Sequence, residues 1–229
     1  MFVEIVGLPG CGKTTLLRAA KRPLQEAGLK FASINTVADA QATKQIEKTR
    51  FLKRYKPRAW IYGATKFAHD TPDVFDALFQ NARGDFHQSL WLMDFFTHMH
   101  FARQADLSDM YIFLDEGFVH RGVAAFFKDK TIRGFKKYLD MIPVSDLIIL
   151  IDTPVGTAVD RCHSRKTGVP KVYNSPEIED VKAKFVQLDK RLKYGVSHQE
   201  KAGAHIIRID GSQSVEACCD HLCAAFEGL

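Results

Sequence analysis

Apolar positions along the chain fall into short unbroken runs that alternate with segments of helical spacing. Phe2 to Val6, "FVEIV", reads as a buried strand. From Lys13 to about Ala27 the spacing predicts a helix, with a bend near Pro23 and a stop at Gly28. Leu29 to Ile34 reads as a second strand. A long helix-rich stretch follows, from about Ala38 to Ala105, carrying Trp60, Tyr62, Phe67, Phe75, Phe79, Phe86, Trp91, Phe95, Phe96 and Phe101. Pro57 and "HDTPD" divide it, and Asp70 or Thr71 before Pro72 marks a helix start. "MYIFLDEG" is a third strand ending at Asp115 and Glu116, and "DLIILIDTP" is a fourth. A helix from Pro154 to about Ser164 leads to a polar loop, "GVPKVYNSP". A charged helix from Glu177 to about Lys201, a fifth strand "HIIRIDGS" and a last helix from Val215 to Phe226 complete the pattern. Strands alternating with helices imply a parallel sheet covered on both faces, hence one α/β domain over 1–229 with helical insertions.

Composition changes this picture little. Hydrophobic residues make up 46% of the 229 positions, enough for a sizeable core. The formal net charge of +5 suits a chain that meets anions. No basic leader with a small-residue cleavage site is visible, and "LIILI" is too short to span a bilayer. The five cysteines are odd in number and lack framework spacing, which fits a reducing cytoplasm. "CCDHLC" (Cys218, Cys219, His221, Cys223) resembles a soft-metal cluster. However, Val215, Leu222 and Phe226 continue an amphipathic pattern around it, so the cysteines are expected as small apolar residues of a helix.

The chemistry is concentrated at the strand ends. "GLPGCGKT", Gly7 to Thr14, fits G-x-x-x-x-G-K-[ST] at every fixed position, between a strand and a helix. Gly7, Leu8, Pro9, Gly10, Cys11 and Gly12 would turn backbone N–H groups toward an anion at a helix start. Lys13 would reach the β- and γ-phosphates, Thr14 would ligate Mg²⁺, and Thr15 would complete the loop. Asp115 is expected on the metal side and Glu116 on the acceptor side as candidate base, an assignment that is open to exchange. Arg121 is a cation for the transferring phosphoryl group or an acceptor phosphate, or else a surface arginine. Arg161 and Arg165 share a helix face, and the loop after them, with Lys166, Gly168, Pro170 and Lys171, is suited to a basic flap that excludes water.

With these residues placed, the chain resembles the thymidylate kinase and deoxynucleoside kinase group of P-loop kinases. "GLPGCGKTT", "FLDEGFVHRG", "LIDTPVGTAVDRCHSRK" and "HIIRIDGSQSVEACCDHL" carry the resemblance in order. It implies a three-layer P-loop NTPase sandwich with a five-stranded parallel sheet of order 2-3-1-4-5. It also implies an acceptor-binding helical region at 38–105 and a lid at about 161–176. Arg161 would line the adenine or phosphates, Arg165 would reach the transferred phosphoryl group, and Gly211 and Ser212 would lie beside the adenine. Two departures stand out. Asp115-Glu116-Gly117 replaces the Asp-Arg or Glu-Arg-Ser of these kinases, and the second strand ends without their acidic base motif, leaving Asp39 as a substitute. Arg83 and Arg103 are candidates for an acceptor phosphate or for solvent. Among the aromatics of 38–105, most are expected in the core and one or two at the ligand.

The leading expectation is an ATP- and Mg²⁺-dependent phosphotransferase acting on a small acceptor, a nucleoside or nucleoside monophosphate. One alternative is a kinase of nucleotides within DNA or RNA, although no concentrated basic run supports it. Another is a nucleotide-dependent switch, although the Asn-Lys-x-Asp base-reading motif of GTP switches is absent. A small-molecule partner, no membrane and a cytoplasmic location follow from the leading reading. A homodimer is compatible with it.

Overall fold

The computed structural model describes residues 1–48, 56–82, 85–106, 110–129 and 131–229. Five strands form one sheet: β1 (Phe2–Val6), β2 (Phe31–Ser33), β3 (Tyr111–Leu114), β4 (Leu147–Asp152) and β5 (His205–Asp210). All pairings are parallel and the order is β2-β3-β1-β4-β5, as the resemblance implied. The central strands are apolar because both of their faces are covered: Val3, Val6, Leu147 and Ile148 are fully buried.

Before β3 run α1 (Lys13–Glu26), α2 (Ile34–Lys48), α3 (Lys56–Asp70), α4 (Pro72–Asn81) and α5 (Phe86–Arg103). Thr71 is the N-cap residue of α4, its hydroxyl donating to the Phe67 carbonyl, and Pro72 opens the first turn, where the missing N–H costs nothing. After β3 come α6 (Phe118–Ala125) and α7 (Arg133–Leu139), then α8 (Val155–His163), α9 (Ile178–Lys201) and α10 (Val215–Glu227). On one face of the sheet Phe226 of α10 meets Tyr111 and Phe113 edge-on, and α1 packs beside α10. On the other face, α6 lies over Glu4 and against α9.

The differences from the expected elements have local causes. β2 stops at Ser33, because Ile34 turns inward and opens α2. α1 continues through Pro23 to Glu26, and the chain turns at Gly28 with φ +83. The helices α6 and α7 fill what the sequence pattern left between the third and fourth strands. Most of the helical-region aromatics are core, as expected: Phe67 stacks on Phe96 at 4.8 Å, and both are fully buried. Cys218 and Cys219 are buried in the α10 interface. No group of three metal-ligating side chains gathers among the described residues. Among them, no helix is long and apolar enough to cross a membrane.

Candidate active site

In a parallel sheet the loops after the strands gather at one edge, and ligands bind there. That edge carries Gly7–Gly12 after β1, Asp115–Gly117 after β3, Thr153 after β4 and Gly211 after β5. Gly10 and Gly12 have φ values of 88° and 101°, and a Cβ on Gly10 would lie 2.2 Å from the Ala158 carbonyl. Only glycine serves there. Gly12 is the N-cap of α1, with no side-chain cap and no acid in the first turn. The N–H groups of that turn therefore remain available to an anion.

The loop borders a cavity of about 870 Å³ lined by Leu8 to Thr14. Asp115, Glu116, His120 and Arg121 enter it from the β3–α6 segment, and Ile34 and Asn35 from the first turn of α2. Trp91, Asp94, Phe95 and His98 line it from one stripe of α5, at spacings of three and four residues. Arg165, Pro170, Lys171, Val172 and Tyr173 border it from the segment after α8. That segment is anchored: Tyr173 and Val169 are buried, and Tyr173 packs edge-on against Phe127 at 4.8 Å.

Lys13 lies back on its own loop, where its Nζ donates to the Gly7 carbonyl at 2.8 Å. The same oxygen accepts from His120 Nε2 at 2.9 Å. A carbonyl cannot donate, so Nε2 carries the proton. Burial, followed by the nearby Lys13 charge, holds the pKa of His120 well below the usual histidine value, so the ring is neutral.

Glu116 and Arg121 form one wall of the cavity. Trp91 Nε1 donates to Glu116 Oε2 at 3.1 Å, and Arg121 Nη2 lies 3.8 Å from the same oxygen. Arg121 also donates through Nε to the Glu116 carbonyl and through Nη1 to the Trp91 carbonyl. Its guanidinium lies over the Trp91 ring, 3.2 Å from the centroid. Burial lowers its pKa to about 10, so it remains charged at neutral pH. The sequence left Arg121 open between phosphate cation and surface arginine. It is buried, and the three nitrogens face protein oxygens.

Gly117 accounts for the missing arginine of the acceptor motif. A Cβ there would lie 2.5 Å from Glu4 Cδ, so the buried Glu4 carboxyl fills the space a side chain would need. Gly117→Ala is expected to destabilise the protein by roughly 1–3 kcal/mol. A thermal melt indistinguishable from wild type would show that this space is not tightly held.

The remaining expected residues divide. Arg161 Nη1 donates to the Gly211 carbonyl at 3.0 Å, which joins α8 to the loop after β5, and Ser212 bonds Asp210. These three lie outside the cavity lining, as does the exposed Thr15. Asp39 is exposed and does not line the cavity; Asn35, an amide in the first turn of α2, lines it instead. Arg103 lies over Phe67 and lines a separate small cavity with Glu4. Arg83 lies outside the described residues.

The sequence reading missed Asp94 and His98. Asp94 accepts from Trp60 Nε1 at 3.4 Å, and its other oxygen lies 3.3 Å from His98 Nδ1. The hydrogen bond to His98 holds its carboxyl below the usual range. Their spacing with Trp91 and Phe95 was the available signal. A further cavity, of about 680 Å³, lies beside β4, β5 and α9. Ion pairs run along it: Lys193 with Asp152 and Asp189, and Arg208 with Glu200.

No protein-family profile matches the chain, and no curated protein matches it. The sheet order, with a glycine-rich loop between β1 and α1, is that of the P-loop NTPase-like α/β fold. Solved structures of a deoxyadenosine kinase from M. mycoides share that fold. With dATP bound, it matches over 99% of both chains at TM-score 0.56 and 13% identity. With products dCMP and a flexible dCDP bound, it matches over 100% of both chains at TM-score 0.52 and 13% identity.

Proposed function

We propose that the chain is a P-loop kinase that transfers the γ-phosphoryl group of ATP to a hydroxyl of a small acceptor of the nucleoside class. The observation that carries this reading is a single cavity with a phosphate loop on one side and an aromatic, carboxylate-bearing wall on the other. The structural likeness to a deoxyadenosine kinase supports the same substrate class.

Lys13 would leave Gly7 and bridge the β- and γ-phosphates, while the loop N–H groups hold their oxygens. Thr14 and Asp115 suit Mg²⁺, because both present oxygen to the cavity and Asp115 is exposed. Bound there, the ion would neutralise charge on the phosphates. Arg165 and Lys171 add positive charge from the segment after α8, and the buried Tyr173 of that segment would help to exclude water. Glu116, fixed by Trp91 and Arg121, would accept the proton of the attacking hydroxyl.

Of the two acceptor classes we favour the nucleoside: among the described residues, the cation beside Glu116 is Arg121, which hydrogen-bonds the Glu116 and Trp91 carbonyls and ion-pairs with the Glu116 carboxylate.

The test is transfer from labelled ATP-Mg²⁺ to a panel of nucleosides, nucleoside monophosphates and short DNA, with a no-acceptor control. Label is expected on nucleosides. Label found only as free phosphate, at the same rate with and without acceptors, would replace the kinase with a nucleotide-driven switch.

A further inference from the structure

The Gly7 carbonyl accepts from two side chains, Lys13 at 2.8 Å and His120 at 2.9 Å. These donors have different fates. Lys13 sits on a flexible stem at the cavity edge, and in the kinase reading its ammonium transfers to the phosphates. His120 cannot follow. It is buried, its backbone N–H is fixed to Glu4 Oε1 at 3.2 Å, and it belongs to α6, whose neighbouring residues are buried as well.

We propose that His120 is a positioning residue for the phosphate loop: it keeps the Gly7 carbonyl paired when Lys13 leaves, and so frees the lysine for the nucleotide. The inference rests on the kinase reading and adds a residue to it. Without the histidine, each placement of Lys13 leaves something unsatisfied. If it stays on Gly7, the phosphates lose their cation. If it moves, a buried carbonyl is left bare, at the cost such groups carry. The neutral Nε2–H tautomer suits this role, since a proton fixed on Nε2 is always directed at the oxygen. A charged imidazole beside Lys13 would also repel the lysine.

The test is ATP-Mg²⁺ affinity by calorimetry for wild type, His120→Met and His120→Gln, with the melting temperature of each protein recorded. Met keeps the bulk and lacks the donor. Gln can place an N–H where Nε2 stands. His120→Met is expected to bind ATP about 5- to 100-fold more weakly, and His120→Gln to recover within about threefold of wild type by the same reasoning. Two results overturn the proposal. Wild-type affinity in His120→Met would show that the carbonyl needs no second donor. Equal weakening in both variants, with or without a lowered melting temperature, would show that the ring matters for packing rather than for its donor. A wild-type protein that fails to bind ATP-Mg²⁺ would instead remove the kinase reading beneath it.

Discussion

Lys13→Ala should lower phosphoryl transfer by about two to three orders of magnitude, the usual loss when one preorganised donor to transition-state charge is removed. The fold should remain intact. In the free protein Lys13 bonds the Gly7 and Leu8 carbonyls, and Gly7 retains His120 after the lysine is gone. Stability should therefore change by less than about 1 kcal/mol, a typical single hydrogen bond. Lys13→Arg should not rescue the activity. The planar guanidinium is bulkier than an ammonium and cannot act as the compact point charge that the narrow loop admits. Single-turnover transfer with a labelled nucleoside acceptor, alongside urea unfolding, separates the two effects. Near-normal transfer in Lys13→Ala would remove the phosphate loop from the chemistry, and with it the proposed function.

The phosphate loop could be read from sequence because its requirements are local. Positive φ at Gly10 and Gly12, and the close approach of Ala158, each demand glycine at a fixed spacing. The strand order came with the resemblance, and periodicity alone would not have supplied it. What escaped were features created by packing. α6 is only eight residues long and nearly all of them are buried, so it has no polar face to set a helical period. Nothing in the sequence therefore singled out His120, and Arg121 stood open between a phosphate cation and a surface arginine, although the fold buries both. α5 is apolar around much of its circumference, and that masked the Asp94–His98 pair on its cavity stripe. Asp39 lies outside the cavity lining for a simpler reason: β2 ends early, and the helix that follows leaves Asp39 exposed. The rest of the cavity wall could not be read directly because it is assembled from the start of α2, α5, α6 and the segment after α8, which lie far apart in the chain.

Glu4→Gln should stabilise the protein increasingly as pH rises. Glu4 is fully buried in β1, and burial raises its pKa from the ordinary 4.5 to about 7, against the opposing pull of the His120 and Val119 N–H groups, Ser145 and Arg121. Its Oε2 has no hydrogen-bond partner. Below about pH 4.5 the carboxyl is protonated in both the folded and unfolded chain and contributes nothing to the pH dependence. From there to about pH 7 the unfolded chain gives up the proton while the folded chain keeps it, so the folded state steadily loses ground. Above that range both are ionised and the loss is constant. Glutamine is neutral throughout and can offer its carbonyl oxygen to the His120 N–H. The stability of Glu4→Gln minus that of wild type should therefore grow by roughly 2–3 kcal/mol between pH 5 and pH 8. The comparison must be a difference. His120 and His100 have lowered pKa values, which makes stability rise with pH as their unfolded-state protons are lost, and this contribution is common to both proteins. Urea unfolding at the two pH values measures the quantity. Parallel stability curves for variant and wild type would mean that Glu4 ionises as easily in the fold as in the open chain, and the buried carboxyl beneath the phosphate loop would then have to be reached by water.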